Sequence, residues 1–299
     1  MDKHNQKLLT DGIENQTAVT LTKPKRSFLS KKNKTEQKEQ VPEVSFQAFY
    51  ALAELLNVSV EEVKDECCFF QVKNIMNKLT KVIVRYNVTD KELEKILSNC
   101  NTLNVKGILL SPAYIPAIMR QKKKQNLKLK VGSIIDFPFG ESLFKSKLSD
   151  IKDSIKMGVD GITVMMPTML LDGKKNAKQF KKQCKKIGRI RRLDTAVSLS
   201  AMDMTTDQLK SAVKIVERTK LKAITFIFGD VKLEDFREKM SVINKYKGKK
   251  PVRILANVET VPAVQELIKD NVDDILTPFA DDLGSELVQK FNIKTVKLK

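Results

Sequence analysis

KVGSIIDFPFGESLFKSKLSDIKDSIKMGVDGITVMM, residues Lys130–Met166, is the stretch that decides the fold. It opens on a short β-branched run, KVGSII (Lys130–Ile135), passes through an amphipathic segment of helical period, Leu143–Met157, and closes on a second run, DGITVMM (Asp160–Met166). Both runs are apolar at successive positions, as strands covered on both faces must be, whereas a sheet with one wet face alternates. Strand, helix and strand in this order predict a parallel βαβ unit.

The same unit recurs in both directions. Upstream lie KVIVRY (Lys81–Tyr86) and KGILL (Lys106–Leu110); downstream follow TAVSLS (Thr195–Ser200), AITFIF (Ala223–Phe228), VRILA (Val252–Ala256) and DDILTPF (Asp273–Phe279). Helices are expected between them at Thr89–Asn99, where Thr89-Asp-Lys-Glu92 forms a capping box, at Thr206–Arg218 and at Val261–Lys269. Eight βα units predict a closed (β/α)8 TIM barrel of the α/β class, for which roughly 250 residues suffice. An open doubly wound sheet would leave strands without a place, and no GxGxxG follows the first run, so a dinucleotide site is not supported.

Residues 1–45 predict a flexible basic arm, polar and rich in Lys, Gln, Asn and Thr, with KPKRSFLSKKNK at Lys23–Lys34. From Phe46 the apolar spacing of Phe49, Leu52, Leu55 and Leu56, and a second capping box at Ser59–Glu62, predict helices that precede the barrel and cover its lower end, so that 46–299 form one barrel domain. No apolar run reaches the roughly 18 to 20 residues of a membrane span, and the N-terminus lacks the apolar core of a secretory signal, so a cytoplasmic location is expected. Cys67, Cys68, Cys100 and Cys184 have no metal-ligand spacing and read as reduced, packed thiols; with His4 as the one histidine, neither a Cys/His metal site nor Ser-His or Cys-His catalysis is expected. Asp136, Asp203 and Asp230, each just after a strand, read as capping and solvated groups rather than a magnesium site.

Several segments resemble the deoxyribose-phosphate aldolases. GILLSPAYIP (Gly107–Pro116) is similar to that family's "vCvnPayvp" segment, IIDFPFG (Ile134–Gly140) to its "GFPlG" motif, and GVDGITVMMPTMLLDG (Gly158–Gly173) to its fourth unit; the resemblance covers about Val82 to Asn292. It implies a class I aldolase barrel, with a Schiff-base lysine on the sixth strand, a second lysine on the seventh that lowers the first one's pKa, and an aspartate on the fourth, all at the C-terminal ends of strands. It also implies a homodimer and no cofactor.

Carried over residue by residue, that machinery is absent. The sixth-strand lysine position holds Thr225, whose hydroxyl cannot form an imine; the seventh-strand position holds Arg253, too basic to exchange a proton near neutral pH; the aspartate position holds Thr163. The glycine turns that cradle phosphate in the family are replaced by Leu255-Ala256-Asn257 and by Leu276-Thr277-Pro278-Phe279-Ala280, with Gly229 alone retained. The resemblance therefore implies a catalytically degenerate barrel, a pseudoenzyme retained as a scaffold for an anionic ligand, nucleic acid or a partner protein, in which Thr163, Thr225, Arg253 and Gly229 are left to bind an anionic small molecule. The rival reading is a diverged lyase that cleaves 2-deoxyribose 5-phosphate or a related sugar phosphate, with Lys232 after the sixth strand as a shifted nucleophile; Lys81, Lys106 and Lys130 stand at strand beginnings, the wrong end.

The net charge of +19 favours polyanionic partners, nucleic acid or ribosome. GKKNAKQFKKQCKKIGRIRR (Gly173–Arg192) places Ala177, Phe180, Cys184 and Ile187 on one helical stripe and Lys174, Lys178, Lys181, Lys182, Lys185 and Arg189 on another, a cationic ridge almost without acids. A second cluster, RQKKKQNLKLK (Arg120–Lys130), is expected to extend it. No aromatic residue is interleaved, so base stacking is not expected.

Overall fold

The computed structural model describes residues 72–84, 87–190 and 193–290; the basic arm and the helices expected before Val72 lie outside the described residues. Eight strands close into one parallel barrel in sequence order: β1 Leu79–Ile83, β2 Gly107–Leu110, β3 Lys130–Ile135, β4 Gly161–Met165, β5 Asp194–Ser200, β6 Ala223–Gly229, β7 Val252–Ala256 and β8 Asp274–Thr277. Each strand is followed by a helix: α1 Asp90–Thr102, α2 Ile115–Lys124, α3 Phe144–Lys156, α4 Gly173–Ile187, α5 Thr206–Glu217, α6 Leu233–Tyr246, α7 Val261–Lys269 and α8 Ala280–Lys290. The ring closes where Leu79 pairs with Ile275 and Thr80 with Leu276.

Alternation along the strands sorts the side chains into two cores. Outward residues such as Ile108, Val131, Val164, Phe226 and Ile254 pack beneath the helices in one continuous layer. Inward residues Val82, Leu109, Ile134, Leu255 and Leu276 form a separate cluster inside the barrel, with Val84, Phe137 and Ile227 packed against it. These five are apolar on the face where a catalytic barrel carries its chemistry.

Local signals account for the helix starts. Thr89 caps α1: its hydroxyl accepts the Glu92 amide at 3.3 Å while its own amide donates to Glu92 Oε2 at 2.8 Å. A second capping box, Thr205 with Gln208, starts α5. The strand positions differ from the sequence expectation chiefly at the first strand, which begins at Leu79 rather than Lys81. Lys81 consequently stands at the strand's centre, and its ammonium reaches the carbonyl of Pro278 and the Asp281 carboxylate. A four-carbon stem carries the charge to the C-terminal end although the backbone lies lower, so Lys81 does not belong to the base.

Candidate functional site

The C-terminal mouth of the barrel is where aldolase-type chemistry would reside, and its centre is closed by side chains. Leu255 and Met165 are almost fully buried, Leu276 and Leu109 are likewise enclosed, and Thr225 below them has no solvent exposure. Thr225 pairs in register with Ser198 on one side and Arg253 on the other. The Thr225 and Ser198 hydroxyls are buried with no hydrogen-bond partner among the described residues.

The turns that the resemblance aligns with a phosphate cradle are occupied from within. Thr277 at the end of β8 accepts the amides of Val258 and Phe279, each at 3.3 Å, and donates to the Val258 carbonyl at 3.1 Å. Amides that could converge on an anion are thus bonded to a hydroxyl of the chain itself, and Pro278 between them has no N–H to offer. Gly229 keeps a left-handed φ of 58° at the end of β6, its carbonyl accepting the Asn257 amide at 2.8 Å. Asn257 in turn donates to Asp230 at 2.8 Å.

One cation is built into the mouth, and it escapes a motif search. Lys147 on α3 is 1% exposed. Its ammonium donates to the carbonyls of Gly140 at 2.6 Å and Met165 at 2.8 Å and pairs with Asp136 Oδ2 at 2.9 Å. All three donors are committed, and an enclosed amine so held is out of a substrate's reach. Asp136 adopts a left-handed φ of 61°, held there by the Ser142 amide at 2.9 Å and hydroxyl at 2.7 Å. Burial alone would raise the Asp136 carboxyl, but the hydrogen bonds from Ser142 and Lys147 outweigh it and hold the group below the ordinary carboxylate range. Gly140 is required at its turn: a Cβ there would lie 3.0 Å from backbone atoms of both Met165 and Met166.

Around this closed centre the rim exposes large apolar side chains. Phe139 and Leu143 after β3, Met169 after β4, Met202 after β5 and Leu233 at the start of α6 are exposed large hydrophobic side chains, Leu143 to 78%. Asp203 and Lys232 are exposed beside them. Among the described residues no group of three His, Cys, Asp or Glu side chains stands close enough to hold a metal ion.

The opposite, N-terminal end is polar. A cavity of about 350 Å³ opens there, with Thr80, Thr163 and Arg253 in its walls and Leu109 and Leu276 in its ceiling. Arg253 donates to Asp194 at 2.6 Å and to Asp274 at 3.1 Å, and Asp274 is also paired with Lys106. Residue 253 is the second of β7, so its side chain turns down to the base, where two carboxylates neutralise it. The four residues expected to form one ligand site are therefore not brought together: Gly229 is at the mouth, Thr225 is enclosed, and Thr163 and Arg253 face the basal cavity.

The ridge is formed by α4. Phe180, Cys184 and Ile187 are buried beneath it, and burial pushes the Cys184 thiol far above its ordinary pKa, so it packs as an inert apolar group. Lys174, Lys178, Lys182, Lys185 and Arg189 are exposed and Lys181 half-buried, and among the described residues none of the six forms an ion pair. The second cluster does not share this character, because Lys122 pairs with Asp160 at 3.1 Å and Lys124 with Glu94 at 3.9 Å.

No protein-family profile matches the chain. The deoxyribose-phosphate aldolase of Mycoplasmoides pirum is 22% identical over 220 residues, covering 70% of this chain and 95% of that protein. Among solved structures, QR15, an aldolase, superposes with a TM-score of 0.65 at 16% identity over 74% of this chain and 98% of that one. The tetrameric deoxyribose-phosphate aldolase of Aeropyrum pernix superposes with a TM-score of 0.63 at 14% identity, over 75% and 94%.

Proposed function

The chain is a relative of the deoxyribose-phosphate aldolases, and from that premise we propose that its barrel has given up imine chemistry and serves as a scaffold that binds an anionic partner through α4. The observation that carries the first half is the closed mouth. A class I aldolase needs an amine that a carbonyl substrate can reach. Here the sixth-strand position is Thr225, without solvent exposure, and an apolar cluster with Leu255 and Leu276 lies inside the barrel. The buried amine of Lys147 is held by three acceptors, and that of Lys81 by the Pro278 carbonyl and the Asp281 carboxylate. The committed Thr277 hydroxyl accounts for the lost phosphate cradle in the same way.

Borohydride reduction in the presence of 2-deoxyribose 5-phosphate tests this half. The expected outcome is no mass adduct on any lysine. An adduct at Lys147 or Lys232 would instead establish the rival reading, a diverged lyase with a shifted nucleophile.

The second half rests on α4, whose cations have no acidic partner among the described residues and whose first turn carries Lys174 and Lys175 against the helix dipole. Like charges at this spacing cost a few tenths of a kcal/mol per close pair, a cost that a polyanion offsets. Retention on an immobilised polyanion near ~0.15 M salt, lost as salt rises, is the expected behaviour. Elution unaffected by salt would remove it.

A further inference from the structure

The cations of α4 are continuous with a second group that is distant in sequence. The first hollow, of about 350 Å³, is lined among the described residues by Lys178, Lys181, Lys182, Lys185, Lys186 and Arg189 alone. A second, of about 530 Å³, is lined on one side by Gly188 and Ile190 and on the other by Lys220, Lys222, Lys249 and Lys250. Arg189 stands in the chain between Gly188 and Ile190, so the two hollows meet at the end of α4. Lys220, Lys222 and Lys249 are exposed and without an ion pair among the described residues. Lys250 donates to the carbonyls of Thr219 at 2.9 Å and Leu221 at 2.5 Å and fixes the wall between the two loops. The carboxylate bonded into this region, Glu217, accepts the Lys249 amide at 2.6 Å.

We infer that this tract is a track for the phosphate backbone of single-stranded nucleic acid, an inference that rests on reading α4 as a binding surface. Three features select the partner. First, cations recur on α4 once per turn, about every 5.4 Å, at Lys178, Lys182, Lys185 and Arg189. A polymer with regularly spaced charge fits that row, and lysine engages phosphate as a point charge. Second, the track bends. Helices of a (β/α)8 barrel run opposite to the strands, so α4 descends towards the base. Lys220 and Lys222 lie in the α5–β6 connection and Lys249 in the α6–β7 connection, which run around the rim. A path that descends one face and then turns along the rim excludes a flat membrane surface. A duplex, whose persistence length is about 150 base pairs, can follow only one arm of it. A single strand turns within a few nucleotides. Third, among the described residues no aromatic side chain lines either hollow, so bases do not stack and binding is indifferent to sequence.

Two triple variants of exposed or half-exposed residues, which leave the buried core untouched, test the track in the full-length protein: Lys181→Gln/Lys182→Gln/Lys185→Gln on α4, and Lys220→Gln/Lys222→Gln/Lys249→Gln on the rim. The probes are fluorescent oligothymidylate and oligoadenylate of about 20 nucleotides, a duplex of the same length, inorganic polyphosphate, a polyglutamate peptide and anionic phospholipid vesicles. Both oligonucleotides are expected to bind equally to within a few-fold. Each triple variant should weaken them at least ten-fold and reduce the slope of log K against log salt by about 2, the value for three phosphate contacts on a single strand. The duplex should bind more weakly than the single strand and respond to the α4 variant alone. If the rim variant leaves single-strand affinity and salt slope unchanged, the track is overturned while the α4 surface stands. If the α4 variant changes binding of none of the probes, both fall. Tighter binding of polyglutamate, polyphosphate or vesicles than of the oligonucleotides would overturn the choice of partner.

Discussion

The two ends of the barrel are built on opposite principles. At the C-terminal end, charge is enclosed: Lys147 is withdrawn beneath the loop after β3, and the side chains left facing solvent include Phe139, Leu143 and Met169. At the N-terminal end, charge is displayed: Arg253, Asp194, Asp274 and Lys106 form a linked set around an open cavity, with Asp194 nearly half exposed. In a barrel whose chemistry sits at the C-terminal end, polar groups collect there and the base is mere packing. Under the proposed function, the reversal in this chain means that retention of the fold and retention of the site are separate properties, since each strand can keep its outward residues while its inward ones change.

The largest effect that would break this contrast comes from the mouth. Replacement of Lys147 by Met leaves the Asp136 carboxylate and two carbonyls without their donor and is expected to cost about 3–5 kcal/mol, the range for removing one partner of a buried ion pair. Urea unfolding reads this directly; a loss below ~1 kcal/mol would show that Lys147 is not the organiser of that loop. Next is Leu276→Ala, which opens the wall between cavity and mouth. A loss of about 2–5 kcal/mol is expected, measured the same way, and an undiminished stability would mean that the inner cluster bears no load. At the base, Asp194→Ala should cost under ~1 kcal/mol, because its carboxylate is 47% exposed while Asp274, at 7%, still holds Arg253. The smallest test is pH. The Asp136 pKa is depressed in the fold, so its stabilisation is complete above the unfolded value of about 3.9 and is lost as pH falls through the folded value. Melting temperature should drop over that acid window in the parent and less steeply in Asp136→Asn; equal slopes would remove the carboxylate from the account.

Much of the architecture was legible because it depends on short-range pattern. All eight apolar runs became strands, Val261–Lys269 became a helix at those residues, and Thr89 formed its capping box. The site was harder, because depth is set by register between strands. Arg253 alternates inward along VRILA, which is readable, but that it faces the base follows only from its pairing with Thr225 and Asp274. Lys147 did leave a signal. Phe144, Lys147, Ile151 and Ser154 fall at three- and four-residue spacing on one stripe of α3, of which Lys147, Ile151 and Ser154 are buried, so a charged residue occupied an apolar position. In a segment with several other lysines, one more did not stand out. The grouping of the end of α4 with Lys220, Lys222 and Lys249 was invisible, since those residues are brought beside Gly188 and Ile190 only by the parallel pairing of β5, β6 and β7.

The inner cluster of Val82, Leu109, Ile134, Leu255 and Leu276 has a consequence for how this chain can change over time. It is a partition: no hydrogen bond or ion pair links the Asp136–Lys147 group to the Arg253–Asp194–Asp274 group across it among the described residues. Substitutions on the two sides should therefore sum without coupling, as independent sites do. One end of the barrel can drift, or be redesigned for a new ligand, while the other is left exactly as it was.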